Sequence, residues 1–109
     1  MSAIRLSKVE GEKEAYKLSI NEKGVQIIGG SSIGLFYGLQ TLRQIIRQQR
    51  TSLNYMMIED KPYFKHRGFY HDVTRGKVPT LETLKQLVDR LAYYKINQFQ
   101  LYIGVYFCF

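Results

Sequence analysis

Between Arg67 and Ile103 the spacing of the apolar residues changes twice, and few folds accommodate the result. Residues 69–73 are short and rich in aromatic and β-branched side chains, as a strand is. Gly76, Pro79 and Thr80 break the chain. From Leu81 the apolar positions take helical spacing: Leu81, Leu84, Leu87 with Val88, Leu91 and Tyr94. The Thr80 hydroxyl is placed to accept from a free amide of the first turn. Asn97 stands where the helix should stop, and asparagine tolerates the left-handed conformation. Residues 96–103 read as a second strand. Two strands joined through a helix run parallel with a right-handed crossover. Such a unit needs neighbours at both strand edges and cover on both faces. The sequence stops at Phe109, soon after the second strand, so the expectation is a piece of a larger α/β fold.

The preceding residues follow a different pattern. Ile4, Leu6 and Val9 are spaced for an edge strand. In residues 15–20, Tyr16, Leu18 and Ile20 alternate with Lys17 and Ser19, so one face is apolar and the other polar. Residues 21–24 form a turn, with Gly24 suited to positive φ. Residues 25–28 then pair back as a hairpin. Ser31 or Ser32 caps a helix over residues 33–49, whose stripe is Leu35, Leu39, Leu42 and Ile46, widened by Phe36 and Ile45. Arg43, Arg47 and Arg50 mark its wet face near the C-terminus, where cations suit the helix dipole. Gly34 and Gly38 are four apart, which predicts close packing of this helix on a sheet. Residues 53–59 read as a further strand, and Asp60, Lys61 and Pro62 as a boundary. Residues 1–60 are therefore expected to be a small α+β domain, and residues 61–109 the start of a second one.

Composition removes several function classes. Cys108 is the one cysteine, so an internal disulfide and a CxxC zinc site are both excluded. The N-terminus has no apolar segment of signal-peptide type, and no window reaches the length of a membrane span, so the compartment is left open. The net charge of +7 is uneven. Residues 1–60 hold 8 basic and 6 acidic residues, and residues 61–109 hold 8 and 3. A basic half hints at an anionic partner, but the basic residues are scattered and form no run. Absent balancing acids explain the asymmetry as well.

Two segments together resemble a known family. Residues 14–46, above all GLFYGLQTLRQ at 34–44, resemble the end of the small α+β domain of glycoside hydrolase family 20, the β-N-acetylhexosaminidases. RGFYHDVTRGKVP at 67–79 resembles that family's first barrel strand, whose pattern is Arg, four residues, then Asp-Val-Ser-Arg; here it reads Arg67, Asp72, Val73, Thr74, Arg75. Residues 84–103 continue the pattern through a first barrel helix and second strand. The resemblance implies a TIM barrel, truncated here to its first β-α-β unit, with a clipped small domain in front. It implies removal of terminal β-linked N-acetylhexosamine from glycans, with the substrate's own acetamido group as nucleophile. The family's Asp-Glu pair belongs to a later strand, and no Asp-Glu pair occurs in residues 61–109, so the fragment itself is expected to be inactive. The tail after residue 103 (Gly104, Val105, Tyr106, Phe107, Cys108, Phe109) departs from the family by lacking its acids, as a truncated or frame-shifted reading would.

Arg67 matches the arginine that grips hydroxyls of the terminal sugar in that family. A planar fork of donors bridges two adjacent hydroxyls better than lysine does. The competing reading is a structural or solvated arginine at a strand start. Asp72 and Arg75 are expected to order the loop after the first barrel strand. His66 and His71 are five apart, which on one strand sets them on opposite faces, so no metal is expected. Asp89 and Arg90 read as solvent charges, and Tyr93 with Tyr94 as packing. No cofactor is implied. The expected partner is an N-acetylhexosamine-containing glycan, with no nucleic acid and no membrane, and with self-association through exposed barrel strands. The alternative is a small basic α+β binding or interaction module for a polyanion or a protein, without catalysis.

Overall fold

The computed structural model describes residues 3–104. The chain forms two compact units, Met1–Tyr63 and Phe64–Phe109, and each is described by itself.

In the first unit, β1 (Ala3–Lys8), β2 (Tyr16–Asn21), β3 (Gly24–Gly29) and β4 (Met56–Asp60) make one sheet in the order β1-β3-β2-β4. The hairpin forms as its alternation predicts: Leu18 lies opposite Ile27 and Ile20 opposite Val25. Gly24 takes φ 115° in the turn, and the Asn21 side chain accepts from the Lys23 amide. β4 runs antiparallel to β2, and β1 lies parallel to β3 at the sheet edge. The last strand starts at Met56 rather than at residue 53, so Leu53 packs on the core from the connection.

α1 (Ser32–Gln49) covers one face of this sheet. Ser31 caps it: its hydroxyl accepts from the Ile33 amide at 3.1 Å and donates to the Lys13 carbonyl at 2.5 Å. Most of the expected stripe faces the sheet, with Leu42 in the core and Leu35, Leu39 and Ile45 packed against it, and the close approach expected at Gly34 and Gly38 is met, but two stripe positions turn outward. Phe36 and Ile46 are 43% and 42% exposed, whereas Gly34, Tyr37, Gly38, Gln40 and Leu42 are buried. The reason is steric. A Cβ on Gly38 would stand 2.5 Å from Ile27 Cγ2, and one on Gly34 would run into the Ala15 carbonyl oxygen. The helix settles on its glycine edge, which brings its backbone against the sheet and rotates Phe36 outward. The core is Tyr16, Leu18, Ile20, Val25, Ile27, Tyr37 and Leu42. At its margin the Tyr16 hydroxyl donates to Asp60 Oδ2 at 3.0 Å and lies 2.6 Å from Thr41 Oγ1. The phenol has one proton, so Thr41 is the donor in the second contact.

In the second unit, β5 (Gly68–Asp72) and β6 (Gln98–Tyr102) pair in parallel, with α2 (Leu81–Tyr93) between them in sequence. The register sets Gly68 opposite Gln98 and Asp72 opposite Tyr102. Thr80 caps α2, accepting from the Thr83 amide at 3.2 Å. The helix ends without Asn97. Lys95 is the residue that takes the left-handed conformation, with φ 62°, and its amide reaches the Ala92 carbonyl. Leu84, Leu87 and Leu91 are half-buried, while Leu81, Val88 and Tyr94 are exposed. Tyr93 and Tyr94 meet edge-on at 5.2 Å. Asp89 and Arg90 are exposed. No described helix is long and apolar enough to cross a membrane. Of the tail, residues 105–109, with Cys108, lie outside the described residues.

Candidate functional site

The parallel pair β5–β6 has two ends, and polar side chains cluster at both. At the N-terminal end stands Arg67. Its Nε donates to the Lys95 carbonyl at 2.8 Å and its Nη1 to the Phe64 carbonyl at 2.7 Å. Its backbone is tied to Asn97, whose Oδ1 accepts from the Arg67 amide at 2.8 Å and whose Nδ2 donates to the Lys65 carbonyl at 2.8 Å. The Arg67 carbonyl in turn accepts from the amides of Asn97 and Gln98. The role of Asn97 is thus lateral. It stitches the start of β5 to the start of β6, and nothing in its position at the helix end announces a partner thirty residues away.

The C-terminal end is built on Asp72. Its Oδ1 accepts from the Thr74 amide at 2.9 Å, the Thr74 hydroxyl at 2.9 Å and the Arg75 amide at 3.2 Å. These bonds favour the ionised form and hold the carboxyl below its usual range, the Thr74 amide contributing most and partial burial working against it. The expected Asp72–Arg75 pairing is the weaker part, since Arg75 Nε stands 4.0 Å from Oδ2. Arg75 reaches instead to β6. Its Nη2 donates to the Tyr102 hydroxyl at 3.2 Å, and its guanidinium carbon lies 5.4 Å from the Tyr102 ring centroid. Thr74 Oγ1 also accepts from the Gly104 amide at 2.9 Å.

The two histidines serve neither end as ligands. His66 precedes β5 instead of lying on it, and its Nδ1 is 3.0 Å from Gln98 Nε2. His71 stacks beside Phe69 with ring centroids 6.1 Å apart. Among the described residues no group of three or more His, Cys, Asp or Glu side chains could hold a metal ion. The first unit carries an open groove of about 680 Å3 with Val9, Gly11, Ala15 and Ile28 in its wall. Its charged rim is paired, Lys17 with Glu59 at 2.5 Å and Lys61 with Glu12 at 3.0 Å. It therefore brings no unpaired acid and base together.

Comparison with known proteins separates the two units along the same line. Residues 2–61 match the model of glycosyl hydrolase family 20, domain 2, and residues 64–104 match that of the glycosyl hydrolase family 20 catalytic domain. A β-hexosaminidase of Porphyromonas gingivalis is 38% identical over 97 residues, which is 81% of this chain and 12% of that protein. The solved β-N-acetylhexosaminidase of Streptomyces coelicolor A3(2) superposes with a TM-score of 0.81 at 33% identity, covering 93% of this chain and 22% of its own. An exo β-N-acetylglucosaminidase from Vibrio harveyi, solved in complex with N-acetylglucosamine, gives a TM-score of 0.81 at 30% identity over 91% of this chain and 16% of its own. The chain thus spans less than a quarter of the length of each of these relatives.

Proposed function

The chain belongs to glycosyl hydrolase family 20, and from that premise we propose that it supplies a small α+β domain (residues 1–60) and the opening β-α-β of a catalytic barrel (residues 61–109) to an enzyme that removes terminal β-linked N-acetylhexosamine from glycans. The observation that supports this most is the parallel register of β5 and β6, which sets Asp72 beside Tyr102 at one end of the pair, where barrel enzymes carry their chemistry. In the substrate-assisted scheme the acetamido oxygen attacks the anomeric carbon, an aspartate orients it, and a glutamate protonates the leaving oxygen. Residues 61–109 contain no adjacent Asp-Glu pair to perform the last two tasks. The polypeptide of 109 residues is accordingly expected to release no nitrophenol from p-nitrophenyl N-acetyl-β-glucosaminide. Grafting residues 2–104 in place of the aligned segment of the Porphyromonas gingivalis β-hexosaminidase should restore turnover, and an inert but folded chimera would count against the reading.

Within that enzyme we propose that Arg67 contacts hydroxyls of the terminal sugar. That reading rests on the resemblance at this residue, and two observations weigh against it: Arg67 stands at the N-terminal ends of β5 and β6, opposite the end where barrel enzymes carry their chemistry, and two of its donors are held by backbone carbonyls. The same two bonds favour a second reading, in which Arg67 only clamps the N-terminal ends of β5 and β6. Self-association of the isolated chain belongs to the proposal as well. Among the described residues β5 and β6 pair only with each other, no residue of α2 is buried, and Phe69, Tyr70, Leu101 and Ile103 are exposed. Apolar surface of this kind favours burial by about 25 cal/mol per Å2. Sedimentation velocity from micromolar to near-millimolar chain should show mass rising with concentration, and a constant monomer would refute it.

A further inference from the structure

At the C-terminal end of the strand pair one hydroxyl touches both loops. Thr74 Oγ1 lies 2.9 Å from Asp72 Oδ1 and 2.9 Å from the Gly104 amide nitrogen. An ionised carboxylate and a backbone N–H leave the hydroxyl no choice of direction: it donates to Asp72 and accepts from Gly104. The loop after β5 and the segment after β6 are thereby joined through three groups in series, thirty residues apart in sequence between Thr74 and Gly104. Val73 adds a backbone bond to the Tyr102 carbonyl at 3.1 Å, and Arg75 its contact with the Tyr102 hydroxyl. We propose that Thr74 is a positioning residue, whose hydroxyl relays the Asp72 carboxylate to the Gly104 amide and so sets the loops after β5 and β6 as one rim. This deepens the function proposed above and rests on it only for the statement that this rim faces the sugar.

The chemistry requires a hydroxyl at position 74 and is indifferent to the methyl beside it. Serine serves equally, whereas valine, of nearly the same shape, breaks the relay at both bonds. Position 104 is restricted too, since a Cβ on Gly104 would stand 3.1 Å from Thr74 Oγ1. The relay also has a sign in pH. Hydrogen bonding in the folded chain depresses the Asp72 carboxyl, so the relay is intact above the ordinary aspartate range and is lost as pH falls through the depressed value. The charged and titratable groups near Asp72 are Arg75 on its own loop, Tyr102 across the strand pair and His71 beside it in the strand.

The test is an amide titration of the 15N-labelled 109-residue chain between pH 7 and pH 2. In the parent and in Thr74→Ser, the Gly104 and Thr74 amides should shift together, with one midpoint below 3.8, the unperturbed aspartate value. In Thr74→Val the Gly104 amide should stop following Asp72 and should exchange with solvent at least tenfold faster, while the Phe69 and Gln100 amides of the strand pair keep their protection. A Gly104 amide that follows Asp72 in the valine variant overturns the relay, as does one that ignores Asp72 in the parent or in Thr74→Ser. If Thr74→Val loses the strand pair, the parent and serine arms decide alone. None of these readings involves glycan hydrolysis, so an inactive chimera with an intact titration would sink the proposed function and leave the relay standing.

Discussion

Gly34→Ala should lower the stability of the first unit by about 2–3 kcal/mol, although alanine is the better helix former by about 1 kcal/mol. The sign follows from what the new methyl meets. Its nearest neighbour is the Ala15 carbonyl oxygen, with the Ala15 carbon and the Lys13 oxygen each 3.2 Å away. All three are backbone, and none swings aside as a side-chain tip would. The helix has little freedom to retreat. Its Gly34 amide donates to the Lys13 carbonyl at 3.1 Å, its Ser31 cap holds the same carbonyl, and one turn on Gly38 is pressed to Ile27 and the Tyr16 ring. Relief at position 34 therefore costs either the N-terminal tether or the core contact. Thermal unfolding followed by far-UV circular dichroism should show the midpoint falling by roughly 10–20 °C. Gly11→Ala is the control, since nothing lies within 4 Å of its added carbon, and it should change stability by no more than about 0.5 kcal/mol. Equal stability of the two variants would mean that the glycine edge does not set the helix–sheet distance.

That glycine edge was legible in the spacing of Gly34 and Gly38, but its consequence for Phe36 and Ile46 was not. Local rules worked wherever the cause was local. Alternation at Tyr16, Leu18 and Ile20 placed the core face, Gly24 placed the turn, the serine pair 31–32 placed one helix start, with Ser31 taking the cap, and Thr80 placed the other. The helical stripe of α1 held at Leu35, Leu39, Leu42 and Ile45 and failed only at Phe36 and Ile46, because the sheet selects the side on which backbones approach most closely. Asn97 misled for a related reason. Its side chain was spent on Lys65 and on the Arg67 amide, and the left-handed residue became Lys95. The site was half visible. The pattern of Arg67, Asp72, Val73, Thr74 and Arg75 singled out one strand and its loop, but the tie of Thr74 to Gly104 was not readable, because the two are distant in sequence. The Tyr16–Asp60 bond is hidden in the same way, by a separation of 44 residues. What eluded the sequence is in each case a contact closed by the fold between groups that no periodicity connects.

Arg67→Ala, made in the active chimera, should reduce kcat/KM by about 10²–10⁴-fold if the guanidinium grips the sugar. Two hydrogen bonds from a charged donor are worth about 1.5–3 kcal/mol each, and each tenfold in rate corresponds to about 1.4 kcal/mol. Arg67→Lys should recover only part of the loss, because an ammonium keeps the charge but not the fork that spans two hydroxyls. The clamp reading predicts a different division. Removing the side chain leaves the carbonyls of Lys95 and Phe64 without their arginine donors and loosens the N-terminal ends of β5 and β6. That cost falls on folding, of order 1–3 kcal/mol, and the molecules that remain folded should turn over normally. Measuring kcat and KM on the folded fraction, beside urea unfolding of the same samples, separates the two. A rise in KM with unchanged stability assigns Arg67 to the sugar. A drop in stability with unchanged kcat/KM assigns it to the scaffold, and the family resemblance at this residue is then one of sequence alone. The anchoring already seen makes a mixed result interpretable, since only the part of the loss that Arg67→Lys fails to restore in KM, at restored stability, belongs to the bidentate grip.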